Sequence, residues 1–407
     1  MKKNRLVFLL LSIVTMVFQI PVSAAENNVN HVKPYGNLYF FFGGLNSRTY
    51  DSGQEKTDDQ DLLYRVNNNS NLGFAFTYAK YSGVFELGID DIDNDREVKI
   101  RKAYGEYKTD LGEFMIGQTW SPYVSMSNES ADYYRSKGFG AMYEDPTLQM
   151  KLSLSGFYID IMKPYVPTRE LYDNEIINLP MSGAATEYQL TEVKRDVTTG
   201  QPMDYIKSFL PKTAIGYEYA GDNGKYRVTG GIAGNAYYIN DTENDVKFNK
   251  KWIYSYLAYL NSYVNFGRLS LRYSGGFLVN PANYGIMIQS KGNDTYYGGA
   301  AMAIQNIATG KWEIKDTWST QDYIELEYDL SATMVLNAGY GFSVVKYPAV
   351  NTKYDYAMEY YANVKINLGG LIALTPSLSF RDYMKDMAGN KEGSDIYCGI
   401  LATVSYY

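Results

Sequence analysis

A single cysteine, Cys398, stands in the 407-residue chain, so one chain can form no disulfide framework, cysteine-zinc cluster or thiol-disulfide couple. Histidine is as scarce. His31 alone, ahead of the first expected strand, excludes serine-histidine triads and multi-histidine zinc sites. Beyond residue 25 no window approaches the ~18 continuous apolar residues of a spanning helix, and the mean hydropathy of -0.32 excludes an all-helical membrane protein. Basic residues number 38 against 45 acidic ones, with no block of five or more like charges, so nucleic acid is the wrong partner. P-loop and GxSxG motifs are missing, and GYG at 339 to 341 lacks the rest of a dinucleotide motif. A paired-carboxylate hydrolase is invisible without coordinates. The reading is a non-enzyme with no cofactor and no metal. What the chain has in abundance is tyrosine, 42 residues of it.

The opening stretch MKKNRLVFLLLSIVTMVFQIPVSAA places Lys2, Lys3 and Arg5 before an apolar core from Leu6 to Phe18, then small residues through Ala25. This reads as a secretory signal peptide over 1–25, cleaved after Ala24 or Ala25, its core being shorter than the roughly 20 residues a spanning helix requires. Loss of its three basic residues leaves 35 against 45 acids, a net charge of about -10.

From there to the end, runs of alternating apolar and polar residues recur. In Leu148 to Tyr158, Leu148, Met150, Leu152 and Leu154 share one face while Gln149, Lys151, Ser153 and Ser155 share the other. Tyr354 to Leu368 and Ala332 to Val344 repeat the pattern. About sixteen such runs can be marked, among them 137 to 144, 148 to 158 and 252 to 265. Tight turns such as YSG (81 to 83), TDLG (109 to 112), EDPT (144 to 147) and NFG (265 to 267) alternate with long segments near 45 to 69, 92 to 99, 119 to 136, 159 to 211 and 279 to 315. Loop length segregated by parity, with an even strand count, is the signature of an antiparallel transmembrane β-barrel. A soluble sandwich has no reason to segregate loops, nor to enrich tyrosine, whose ring and hydroxyl suit a lipid-water interface. The expected class is therefore all-β: a barrel of about sixteen strands over 26–407, with short periplasmic turns and long extracellular loops around an aqueous lumen.

The segment Ile100 to Tyr123, IRKAYGEYKTDLGEFMIGQTWSPY, resembles the Gram-negative general (trimeric) outer-membrane porin family, in which an R-x-A-aromatic strand turns into an aromatic-x-x-x-G strand that opens a pore-folding third loop. Ser70 to Phe76 is similar to the family's second strand, and Arg135 to Tyr158 to its strand, Y-[DE]-x-P turn, strand unit. The resemblance implies a homotrimer in the cell outer membrane, in contact with lipid and lipopolysaccharide, passing small hydrophilic solutes and ions by passive diffusion. It implies a constriction where wall arginines Arg101 and Arg135 face Glu129 and Asp132 of the third loop, 119–137. The chain departs from the family at Asn71, Gln118 and Met142, where many members carry basic residues, and at Tyr407, where the family ends in phenylalanine.

Carboxylates focused in such a pore favour cations, and a mild cation preference is expected. Alternation places Lys151, Arg227, Arg268, Arg272 and Arg381 toward the lumen. The proline-containing segment 159 to 211 reads as an excursion over the mouth or against a neighbour. The acids Asp51, Glu55, Asp58, Asp59 and Asp61 read as a hydrated loop, with cation bridging to lipopolysaccharide as the alternative. Two other functional readings stand beside the diffusion channel: a substrate-specific channel of about eighteen strands, with a hairpin added from 279 to 315, and a surface adhesin or structural barrel with an incidental pore.

Overall fold

In the computed structural model the described residues are 31–51, 54–66, 70–92, 95–124, 140–164, 187–189, 206–208, 210–239, 252–286, 301–306, 311–346, 354–385 and 391–406. The signal sequence, Glu129, Asp132 and Arg135 lie outside them. In chain order the first strands are β1 (His31–Asp51), β2 (Gln54–Val66), β3 (Asn71–Tyr78), β4 (Tyr81–Ile92), β5 (Asp95–Lys108), β6 (Gly112–Thr119), β7 (Thr147–Leu154) and β8 (Phe157–Met162). Next come β9 (Glu187–Gln189), β10 (Ile206–Ser208), β11 (Lys212–Gly221), β12 (Tyr226–Ile239), β13 (Trp252–Asn265), β14 (Leu269–Val279) and the one-turn helix α1 (Pro281–Tyr284). The series ends with β15 (Met302–Asn306), β16 (Lys311–Lys315), β17 (Trp318–Ser331), β18 (Met334–Lys346), β19 (Asp355–Asn367), β20 (Ile372–Lys385) and β21 (Gly393–Tyr406).

Eighteen of these strands form one antiparallel sheet, closed by β1 pairing with β21 from Gly36↔Tyr406 to Thr49↔Gly393. Segments β2 and β3 lie end to end along β1, and β10 and β11 end to end along β12. The closed wall therefore has sixteen staves, as the alternation implies. Closure pairs every backbone edge, the condition for a sheet to cross lipid. The expected result on a gel is a folded band that resists detergent and shifts on boiling; identical mobility before and after heating would contradict a closed barrel.

Three readings of the strand count are corrected. Residues 137 to 144 are no strand among those described, for 140–142 carry no ladder and Tyr143 forms only a bridge. Residues 148 to 158 are not one strand, because Ser155 (φ 49°) and Gly156 (φ 89°) reverse the chain between β7 and β8. Two successive left-handed residues are what a two-residue hairpin turn demands. One strand too many and one missed cancel, which is why the total holds. Thirdly, β15 and β16 pair with each other and with β9 in a separate three-stranded sheet. The 279 to 315 hairpin thus adds nothing to the wall, and an eighteen-stranded channel is excluded.

The acidic stretch 45 to 69 is largely strand instead of loop. β1 runs 21 residues, roughly twice the 9–11 needed to cross a bilayer, and its outer half pairs with β2 through Asp51↔Gln54. Similarly β4 and β5 continue to Ile92↔Asp95, so 92 to 99 is mostly ladder.

Candidate functional site: the barrel interior

On β17, Ile324, Leu326, Tyr328 and Leu330 are exposed, whereas Gln321, Tyr323 and Glu325 are buried. Strands β19 and β20 bury Glu359, Asn363, Ser377, Ser379 and Arg381 in the same alternating manner. An oily exterior and a polar interior invert the arrangement of a soluble protein and match a wall set in lipid around a wet lumen.

The stretch between β6 and β7, residues 120–146, has both described ends inside that lumen. Tyr123, Met142 and Ala141 are buried, as are Ser121, Val124 and Glu144. The loop is held by a latch. Glu144 pairs with Lys212 at the head of β11, and accepts hydrogen bonds from the Tyr123 hydroxyl and, at 2.9 Å, from Ser121 Oγ. The Lys212 ammonium also lies 4.9 Å from the ring centroid of Tyr284 in α1. Tyr123 packs edge-on against Tyr259 at 5.8 Å and Tyr284 at 5.5 Å, and its burial pushes the phenol well above its ordinary pKa. The returning limb reaches farther round the wall: at Gly140 (φ 82°) a Cβ would stand 2.0 Å from the Asp322 carbonyl oxygen, so only glycine fits. These contacts account for the apolar double face of β13. Tyr254, Tyr256 and Leu260 are exposed, while Ile253, Leu257 and Tyr259 are buried on the other side, the last two beneath the loop. The inner apolar face thus seats the loop.

Arg101 lies in the wall as expected, but with a companion that alternation misses. The register between β4 and β5 slips at Glu86/Leu87, with Glu86 opposite Lys102 and Leu87 opposite Ile100. This bulge turns both Arg101 and Lys102 inward. Glu86, only 2% exposed, receives Arg101 Nε at 3.4 Å and Lys102 Nζ at 2.9 Å, and Tyr35 donates to it at 2.8 Å. Both cations stand 5.0 Å from the ring of Trp120, the residue that opens the loop.

Of the other inward candidates, Arg272 pairs with Glu325 at 2.5 Å and Glu327 at 3.1 Å, and Arg381 with Glu359 at 3.5 Å. Lys151 and Arg227 share Glu218, at 3.9 and 2.6 Å. Arg268 sits in the short turn ahead of β14, exposed at the rim and away from the wall proper. Glu129, Asp132 and Arg135, the other members of the expected constriction, lie outside the described residues. The wall acids Glu86, Glu325 and Glu359, and the Glu144–Lys212 latch, were missed because each partner is distant in sequence. The one local sign in the sequence is that both faces of 252 to 265 are apolar, and the inner one proves to be the seat of the loop.

No family model matches the chain, and no curated protein sequence matches it significantly. Its fold is that of outer-membrane porins. The outer membrane channel DcaP of Acinetobacter baumannii superposes with a TM-score of 0.61 at 13% identity, over 93% of this chain and 97% of that one. OmpF of Salmonella typhi, solved with daunomycin, gives 0.52 at 11% identity over 93% and 98%. An anion-selective porin from Comamonas acidovorans gives 0.50 at 11% identity over 93% of this chain and 100% of that one.

Proposed function

We propose that this chain is a passive diffusion channel of the cell outer membrane for small hydrophilic solutes and ions, mildly cation-preferring. The observation that carries the reading is a closed sixteen-stave wall, polar inside, with the ends of one long loop fastened within the lumen. Such a loop narrows an aqueous pore without sealing it, and no catalytic step is required of any residue. Cation preference is supported by the wall itself: Arg272 and Arg381 each face a carboxylate, and Lys151 with Arg227 shares one. Paired wall cations present little net positive field to a passing ion. Glu129 and Asp132 would then set the sign at the constriction, with Arg101 and Arg135 opposite. Porin-like assembly as a homotrimer amid lipid and lipopolysaccharide, after removal of 1–25, completes the proposal.

The test is a planar-bilayer recording of refolded protein. A conductance that rises with salt without saturating is the expected result. Folded barrels that insert and pass no current would leave only a structural or adhesive role.

A further inference from the structure

On β7 and β8, Lys151 and Asp160 are direct cross-strand partners on the inward face. Facing side chains of an antiparallel pair have Cβ atoms about 4.5–5.5 Å apart, close enough for lysine and aspartate to join. They do not join. The Lys151 ammonium instead sits 4.7 Å from the ring centroid of Tyr158 and 3.9 Å from Glu218. Asp160 is fully buried, and neither of its carboxylate oxygens has a hydrogen-bond partner among the described residues.

A lone buried carboxylate is costly and calls for a cation or donors. Its surroundings select which kind. Asp160 follows Tyr158 by two positions on the same buried face of β8, and the Tyr158 hydroxyl meets that of Tyr259, so the carboxyl lies beside aromatic rings whose faces attract cations. No cluster of three metal-ligating side chains is present among the described residues, which argues against a divalent ion. Two carboxyl oxygens without a protein donor suit N–H groups, which a quaternary ammonium lacks and a primary one supplies. Lys151, 24% exposed, already holds such a group against Tyr158 at the open edge of the cluster.

We infer that this cluster is a binding site for a primary alkylammonium group, which displaces the Lys151 ammonium from Tyr158 and donates to Asp160. The ligand class is small organic amines entering from the lumen, and Lys151 is their built-in competitor.

Folded protein in detergent is titrated with n-butylammonium and followed by calorimetry, which needs no current, so the outcome is separate from that of the conductance test. Lys151→Met should bind about tenfold tighter, since the competing ammonium is gone, and Asp160→Asn about tenfold weaker. Tetramethylammonium should bind the unaltered protein more weakly than n-butylammonium does. The boiling shift on a gel confirms that each variant is folded. An affinity unchanged by Asp160→Asn, or no binding to Lys151→Met, overturns the site; the second result decides alone should Asp160→Asn fail to fold.

Discussion

Lys212→Met should release the lumenal loop. In the unaltered protein the Lys212 and Glu144 side chains are 1% and 5% exposed, so removing the lysine leaves a carboxylate buried with only the Ser121 and Tyr123 hydroxyls to stabilise it. Breaking one half of a buried pair costs about 3–5 kcal/mol, against about 1.4 kcal/mol for each factor of ten in an equilibrium constant. The seated loop therefore loses at least a hundredfold, roughly, relative to a released one. The barrel itself, held by its ladder, should survive, because the latch belongs to a separately opening unit. Two readouts follow: greater unit conductance, and new protease cleavage between Val124 and Gly140. Lys212→Met/Glu144→Met should recover much of the loss, since no charge is then left stranded. A single variant with unaltered conductance and unaltered cleavage would show that the latch does not hold the loop.

The second large effect is a reversal of sign. Replacing Glu129 and Asp132 together by lysine should invert the zero-current potential across a salt gradient at low ionic strength. The double substitution changes the loop by four units of charge, and at the proposed constriction low-dielectric walls would focus that field on a passing ion. The inversion should shrink in concentrated salt, because the Debye length falls from about 10 Å at 0.1 M to about 3 Å at 1 M. A potential unmoved by the double substitution would place this part of the loop outside the pore and would falsify the assigned constriction.

The barrel was legible because alternation is a local property. Leu148, Met150 and Leu152 face out and Gln149 and Lys151 face in whatever the rest of the chain does. Legibility stopped where the chain breaks its own period. Ser155 and Gly156 fit an alternating run as letters, yet their left-handed backbones turn it back on itself. At the bulge beside Glu86 two consecutive residues face the same way, so the resemblance points to Arg101 while counting by twos cannot place Lys102 beside it. The loop's return was misread as a strand for a related reason. Ala141, Met142 and Tyr143 look like wall residues because they are apolar, but buried Met142 and half-buried Tyr143 pack against the wall from within. The latch had no local signature at all: Glu144 occupies what resembles an ordinary Gly-poor turn, and its partner lies on another stave.

The seam between β1 and β21 has a kinetic consequence. Ser47 and Asp395, joined at 2.7 Å across it, are 348 positions apart along the chain. Until the final stave emerges, β1 exposes an unpaired edge, and no N-terminal portion can close alone. Contacts so remote in sequence make folding slow, and long-lived open edges invite aggregation. Stepwise folding during synthesis is therefore closed to this topology. The polypeptide must be kept extended and soluble until all sixteen staves are available, and ring closure is then the event that commits it.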